Sequence, residues 1–312
     1  MFEVSVIIPV YNASEFLEKA VQSALQFGEV KEVILVEDQS TDNSLKICEK
    51  LASENPRVKL YQHPDKGNHG AGATRNLGLE KAQSEFIAFL DSDDYYLPNR
   101  FEAEKEIFKD PKIDGIFGAI GVDFLSEKGE QEYNKKFNSS KLTTVNYPAE
   151  GHDVFKGLIN MSEKPFGVFF HLNGLTIRRE ALVKHLLQFN KNLRVHQDSD
   201  FIVKLSYHTH LKSGIIDKAI AMRGIHDNNR ITKIKKFSPE FDRRQFLLRQ
   251  SLYEWAKTTN MDPKYREHIY LFYLTFRIAR KKGVSKFFNF VSAILSNRNI
   301  VKTRYRYYYL HK

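Results

Sequence analysis

The chain has 312 residues, of which 42% are hydrophobic and 28% charged, the balance of an ordinary globular protein with length for one large domain or a domain and an appendage. A single cysteine, Cys48, excludes an intramolecular disulfide framework and a multi-cysteine zinc site, and its place in a helical pattern reads as core. The formal charge of +10 belongs to the last quarter: residues 231–312 carry 19 Lys and Arg against 5 Asp and Glu, and residues 1–230 are mildly acidic.

The first half alternates strands with helices. Val4 to Val10 reads as a first strand. With no basic n-region before it, no leader peptide is expected. Phe16, Leu17, Ala20, Val21, Ala24 and Leu25 then follow helical spacing, with Ser14 as the expected cap. Glu32 to Val36 is a second strand, and Asp42 to Ala52 a helix with Leu45, Ile47, Cys48 and Leu51 on its apolar face. Val58 to Tyr61 is a short third strand. Gly70 to Ala82 is a Gly-rich loop running into a helix, and Phe86 to Leu90 is a fourth strand. This alternation predicts an α/β fold with a mostly parallel, doubly wound sheet.

The pattern then loosens. Gly115 to Phe124 fits one strand or two, and the polar stretch from Glu127 to Lys141 is expected as a surface excursion. Arg179 to Leu187 and Ser199 to Ser206 read as helices, and Gly214 to Ile216 and Ile220 to Arg223 as short strands. From Ser238 the reading is helical, with Ser238-Pro239-Glu240 as a helix start. No uncharged apolar run approaches the ~18 residues of a spanning helix. A cytoplasmic protein is expected.

The chemistry concentrates where strands end, the rim at which open α/β sheets bind ligands. Asp91-Ser92-Asp93-Asp94 follows the fourth strand. In an extended segment residues two apart share a side, so Asp91 and Asp93 can face one ligand. A hard cation such as Mg²⁺ or Mn²⁺ takes one or two carboxylates and completes its shell with phosphate oxygens and water. A solvated turn has the same composition, and the two readings balance until the neighbours are counted. Glu37-Asp38-Gln39-Ser40 ends the second strand, where Asp38 can accept hydrogen bonds from a base or ribose, and Asp42 suits a helix cap. Tyr11, just past the first strand, can stack on a base. The glycines of Gly67 to Gly72 allow close backbone approach but lack the Lys-Ser/Thr of a P-loop, and Arg75 can reach a phosphate or order the acidic loops. Asp198, at the start of a helix, is either a cap or a general base. His226, beside Asn229 and Arg230, is a candidate for metal or phosphate contact.

Together these segments resemble the inverting family 2 glycosyltransferases of GT-A fold. Val6 to Asn12 looks like the family's first strand, and Val36-Glu37-Asp38-Gln39-Ser40-Thr41-Asp42 like its Val-Asp-Asp-Gly-Ser-Thr-Asp loop. Ala73 to Gly78 looks like its Ala-Arg-Asn-Gly segment, Asp91-Ser92-Asp93-Asp94 like its Asp-X-Asp metal motif, and Gln197-Asp198 like its Glu-Asp acceptor motif. The resemblance covers residues 3–230, and it implies a GT-A catalytic domain over 1–230. Pro9, Tyr11 and Asp38 would hold the nucleotide base, with Arg75 in support and Asp91 towards the ribose. Asp93 would bind Mn²⁺ or Mg²⁺ at the diphosphate, with His226 helping to close that site, and Asp198 would be the base. Asp94 acquires no role. Glu37 and Gln197 depart from the family's Asp and Glu.

The resemblance implies transfer of a sugar from a nucleotide donor, UDP by default, to a hydroxyl of a glycan or lipid-linked acceptor in surface polysaccharide synthesis. In residues 231–312, Phe287, Phe288, Val291, Ile294 and Leu295 share a helical face. Arg280 to Lys282, Lys286 and Arg298 surround them, and Tyr305 and Tyr307 to Tyr309 follow. Aromatic and basic residues together suit an anionic membrane surface, which would place the protein peripherally at the inner face of the cell membrane. A cap on the catalytic domain or a homo-oligomer contact is the other use of that face. A sugar nucleotidyltransferase would need a Gly-rich basic loop after the first strand, and Val10 to Ser14 supplies none. A nucleic-acid-binding protein is disfavoured by the near-neutral first 230 residues.

Overall fold

The computed structural model describes residues 2–137, 141–167, 169–227 and 238–302. The chain divides into two compact units, Met1–Asn229 and Arg230–Lys312. The first unit opens with β1 (Val4–Val10), α1 (Leu17–Leu25), β2 (Val30–Glu37), α2 (Ser44–Glu54), β3 (Val58–Gln62), α3 (Ala71–Lys81) and β4 (Phe86–Phe89). Every residue of β1 and β4 is buried. Parallel strands covered by helices on both faces need such continuous apolar runs, which is why the sequence shows no alternation there. After β5 (Asp94–Tyr96) come α4 (Glu102–Ile107), β6 (Gly115–Phe117), β7 (Ile120–Phe124), α5 (Glu127–Phe137), β8 (Leu142–Thr143) and α6 (His152–Leu158). A 3₁₀ turn (Leu172–Gly174) leads into β9 (Leu175–Arg178), then α7 (Arg179–Lys184), α8 (Gln197–His208), β10 (Leu211–Ser213) and β11 (Ala221–Ile225).

The main sheet has seven strands in the order β10-β6-β9-β4-β1-β2-β3. Its pairs are parallel except those of β9, which runs antiparallel to both β4 and β6. A second sheet, β5-β11-β7-β8, stands beside it. Arg100 ties the start of β9 to α4. It is fully buried, pairs with Glu104 at 2.5 Å and donates to the carbonyl oxygens of Asn173 and Leu175, each at 3.0 Å.

Several expectations shift. Gly115 to Phe124 is two strands in two sheets, parted at Gly118, whose N–H bonds the carbonyl of Gly174 at 2.9 Å. The stretch from Glu127 is the helix α5, with Tyr133 turned in against Phe124. Two aromatics, Tyr133 and Phe137, on an otherwise polar helix give little periodic signal. Ser14 does not cap α1; its N–H donates to Asp42 at 3.0 Å, and Phe16 precedes the helix without a side-chain cap. Of the two late strands, the first lies at Leu211–Ser213, ahead of the expected Gly214 to Ile216, and the second, Ala221–Ile225, overlaps the expected Ile220 to Arg223.

The second unit contains α9 (Pro239–Thr258), α10 (Pro263–Ala279) and α11 (Gly283–Ser296). The predicted start of α9 is present: Ser238 accepts the Phe241 N–H at 3.2 Å, with Pro239 in the first turn. Leu271, Leu274, Ile278, Ala293 and Ile300 form a small core, with Phe290 and Ile294 against it. Ile294 therefore turns inward, away from the face on which the sequence pattern placed it. Among the described residues no helix is long and apolar enough to cross a membrane. Asn229, Arg230, Tyr305 and Tyr307 to Tyr309 lie outside the described residues.

Candidate active site

The C-terminal ends of β1, β2 and β4 lie side by side, because these strands are parallel neighbours. Pro9 is buried within β1, and Tyr11, past its end, is 43% exposed. At the end of β2 both carboxylates are engaged by their own loops. Glu37 accepts the Ser40 N–H at 2.5 Å and the Gln62 amide at 2.7 Å. Asp38 accepts the N–H groups of His69 and Gly70 at 2.7 and 2.8 Å, and His63 stands 3.7 Å from it. Asp38 thus holds the Gly-rich loop against the sheet, leaving only its remaining lone pairs to any ligand. The loop is equally confined from the far side. Gly70 has φ +81, and a Cβ there would strike Arg194, while one on Gly72 would strike Gln197.

The acidic turn after β4 separates into three environments. Asp91 accepts from Arg75 at 2.5 Å, and its own N–H bonds Asn173 at 3.1 Å. Burial raises its pKa, but Arg75, with His171 and Arg223, more than offsets this and holds it below the ordinary carboxylate value. Asp93 faces His226, with Oδ2 to Nε2 at 3.2 Å, and the imidazole is packed on Phe16 at 4.7 Å between ring centres. Asp94 is buried and accepts from the Asn173 amide and, at 2.9 Å, from the Gly224 N–H. Burial first, then the charges of Asp93 and Asp91, push its carboxyl well above the ordinary range.

His171, absent from the sequence reading, sits at the centre. Its Nδ1 accepts the Asn173 N–H at 3.3 Å, so Nε2 carries the proton of the neutral ring, and Nε2 lies 3.8 Å from Asp91. Burial, then Arg223, lowers its pKa to about 4, against the opposing pull of Asp91 and Asp198. That pull puts Asp198, in the first turn of α8 and half-buried, within electrostatic reach of His171. Asn173, whose carbonyl accepts from Arg100 at 3.0 Å, fixes the turn through the Asp91 N–H and the Asp94 carboxylate.

Two donor sets for a hard cation share this turn. Donor atoms of Asp91, Asp94 and His171 lie within 4.8 Å of one another. Asp93 with His226 is the other. Asp94 spends both oxygens on fixed internal donors and Asp91 pairs with Arg75, whereas the Asp93 side chain is 32% exposed. Carboxylates with an imidazole suit Mn²⁺ or Mg²⁺, and Asp93 is the carboxylate of the three that the fold leaves most accessible.

Residues 5–186 match the family described as Glycosyl transferase family 2. The chain belongs to glycosyltransferase family 2. GgaB, a minor teichoic acid biosynthesis protein of Bacillus subtilis (strain 168), is 28% identical over 223 residues, which is 70% of this chain and 22% of GgaB. With the next two curated relatives the chain spans 40% and 55% of their length. Among solved structures, S. aureus TarS 1–349 in complex with UDP-GlcNAc superimposes with a TM-score of 0.62 at 19% identity, covering 96% of this chain and 81% of that one. Mannosyltransferase PcManGT from Pyrobaculum calidifontis, in complex with GDP-Man and Mn²⁺, gives 0.56 at 15% identity over 98% of this chain and 82% of that one. Both likenesses establish the GT-A fold.

For this family 2 chain the candidates Pro9, Tyr11, Asp38, Arg75, Asp91, Asp93, Asp198 and His226 all belong to the first unit, and the contacts above link Arg75 to Asp91 and Asp93 to His226. Sequence reasoning missed His171, Asn173 and Arg223. His171 and Asn173 lie two positions apart in the turn before β9, Arg223 lies in β11, and none of them falls in a motif.

Proposed function

We propose that this family 2 chain is a metal-dependent, inverting glycosyltransferase that moves a sugar from a nucleotide donor, a UDP-sugar by default, to a hydroxyl of a glycan or lipid-linked acceptor in surface polysaccharide synthesis. The observation that carries the reading is the meeting of the Asp91–Asp94 turn with His171 and His226. GgaB's part in teichoic acid synthesis, the UDP-GlcNAc held by TarS and the Mn²⁺ held by PcManGT support it. A peripheral position at the inner face of a membrane, with residues 1–230 catalytic and 231–312 attaching, belongs to the same reading.

Tyr11 and Pro9 border the base, Asp38 holds the loop that closes over it, and Arg75 fixes Asp91 towards the ribose. Asp93 and His226 would hold the divalent cation, which when bound stabilises negative charge on the departing diphosphate. Asp198 accepts the proton of the acceptor hydroxyl as that oxygen attacks the anomeric carbon from the face opposite the leaving group. His171, with its Nε2 proton towards Asp91, keeps the two carboxylates oriented without itself being charged near neutrality.

The direct test is Asp198→Asn with calorimetry and a transfer assay on the same preparation. Transfer is expected to fall by about 10² to 10⁴-fold while UDP and UDP-sugar affinity stay unchanged. A normal turnover rate would remove Asp198 as the base. Titration with a panel of nucleoside diphosphates identifies the base, and tighter binding of GDP than UDP would overturn the UDP assignment.

A further inference from the structure

In α11 the inward side, Phe290, Ala293 and Ile294, packs on α10 residues and Ile300. The outward side is also apolar. Val284, Phe287, Phe288 and Leu295 are 70, 64, 65 and 81% exposed, and with Val291 they follow the i, i+3, i+4, i+7, i+11 spacing of one helical stripe. A helix apolar on both sides belongs in a covered position, and patches of this kind mark an interaction surface.

The charges around it indicate what covers it. From His268 to Lys312 the sequence holds ten Lys and Arg and no Asp or Glu. Lys286 stands in the first turns of α11, the end of a helix where positive charge is unfavourable, whereas Arg280, Lys281 and Lys282 follow the last turn of α10, where it is favourable. The net positive charge of this segment makes a negative surface beyond this unit its natural counterpart. A second copy meeting this stripe about a two-fold axis would bring the same cations against each other. The remaining C-terminal segment, with Arg304, Arg306 and Lys312, supplies no neutralising charge. A nucleic acid would answer the charge and leave two phenylalanines in water.

We infer that α11 lies in the plane of an anionic bilayer surface, with Val284, Phe287, Phe288, Val291 and Leu295 entering the boundary between headgroups and acyl chains and Lys281, Lys282 and Arg298 on lipid phosphates. This gives the membrane contact of the proposed function a location, and it depends on none of the catalytic assignments.

The experiment is flotation of the full chain with vesicles of phosphatidylcholine alone and of an equal mixture with phosphatidylglycerol, at low and high salt. Binding is expected only to the anionic vesicles and weakens with salt. The double variant Lys281→Ala/Lys282→Ala loses about fivefold in partitioning per lysine, and Phe287→Ser/Phe288→Ser loses at least about tenfold. Circular dichroism and UDP-sugar affinity stay at wild-type values in both variants, so failure of the surface is separable from failure of the catalytic reading. Light scattering without lipid and binding to a single-stranded oligonucleotide complete the set. Absence of vesicle binding, vesicle binding indifferent to the phenylalanines, a dimer that the Phe variant dissociates, or oligonucleotide binding as tight as vesicle binding would each overturn the inference.

Discussion

Three aspartates within four residues sit in three different environments, and single substitutions separate them. Asp93→Ala is expected to abolish the difference in nucleotide affinity with and without Mn²⁺, measured by calorimetry. Asp94→Asn places an amide where the Asn173 amide and the Gly224 N–H both donate, so one buried donor loses its acceptor. It is expected to cost about 1–3 kcal/mol in denaturant unfolding and to keep the metal response. Equal loss of the metal response in both variants would favour the donor set of Asp91, Asp94 and His171 over that of Asp93 and His226. At this scale the sequence displayed the acidic motif but not its division, because exposure and partners are set by Asn173 and Gly224, some 80 and 130 positions away. Asp38 shows the same limit. Its place after β2 was legible from the apolar run before it, but its grip on His69 and Gly70 depends on a loop that no local pattern ties to it.

Among the elements, β1, β2 and β4 could be read directly, since strands buried on both faces leave unbroken apolar runs. The second sheet could not. β5, β7 and β11 are short, and their pairings join segments far apart in the chain. Yet that sheet sets the geometry of the acidic turn, because β11 brings Gly224 against it. A Cβ on Gly224 would overlap the carbonyl oxygen of Asp93. Gly224→Ala is therefore expected to cost about 1–3 kcal/mol of stability and to lower transfer more than UDP affinity without metal, since it displaces Asp93 and spares the loop around Asp38. Steady-state kinetics beside metal-free calorimetry reads the split. An unaltered transfer rate would show that the turn tolerates the displacement.

Each unit carries one intrinsic probe: Cys48, buried in α2 of the first, and Trp255, in α9 of the second. The smaller unit buries a lesser fraction of its surface and is expected to unfold at lower denaturant, so Trp255 fluorescence should change before Cys48 becomes reactive to a thiol reagent. Coincident transitions would mean that the two units unfold as one. The thiol measurement belongs below pH 9. Burial, then the charges of Glu37, Glu49 and Asp42, push the Cys48 thiol up to about 12 from 9.0. The unfolded thiol ionises first, and raising the pH from 9 towards 12 favours the unfolded chain. The charge division between the units was plain in the sequence, whereas the inward turn of Ile294 came only from packing.

The clamp made by Asn173 also has a consequence for the order of events during synthesis. Chains emerge N-terminus first. β1 to β4 can pair as soon as residue 89 has left the ribosome, which assembles the strand ends that carry Tyr11 and Asp38 and the helix α3 that carries Arg75. The acidic turn must wait for Asn173 and Gly224, encoded more than 80 codons later. A nascent chain stalled in that interval would present the rim around Tyr11 and Asp38 without a settled acidic turn.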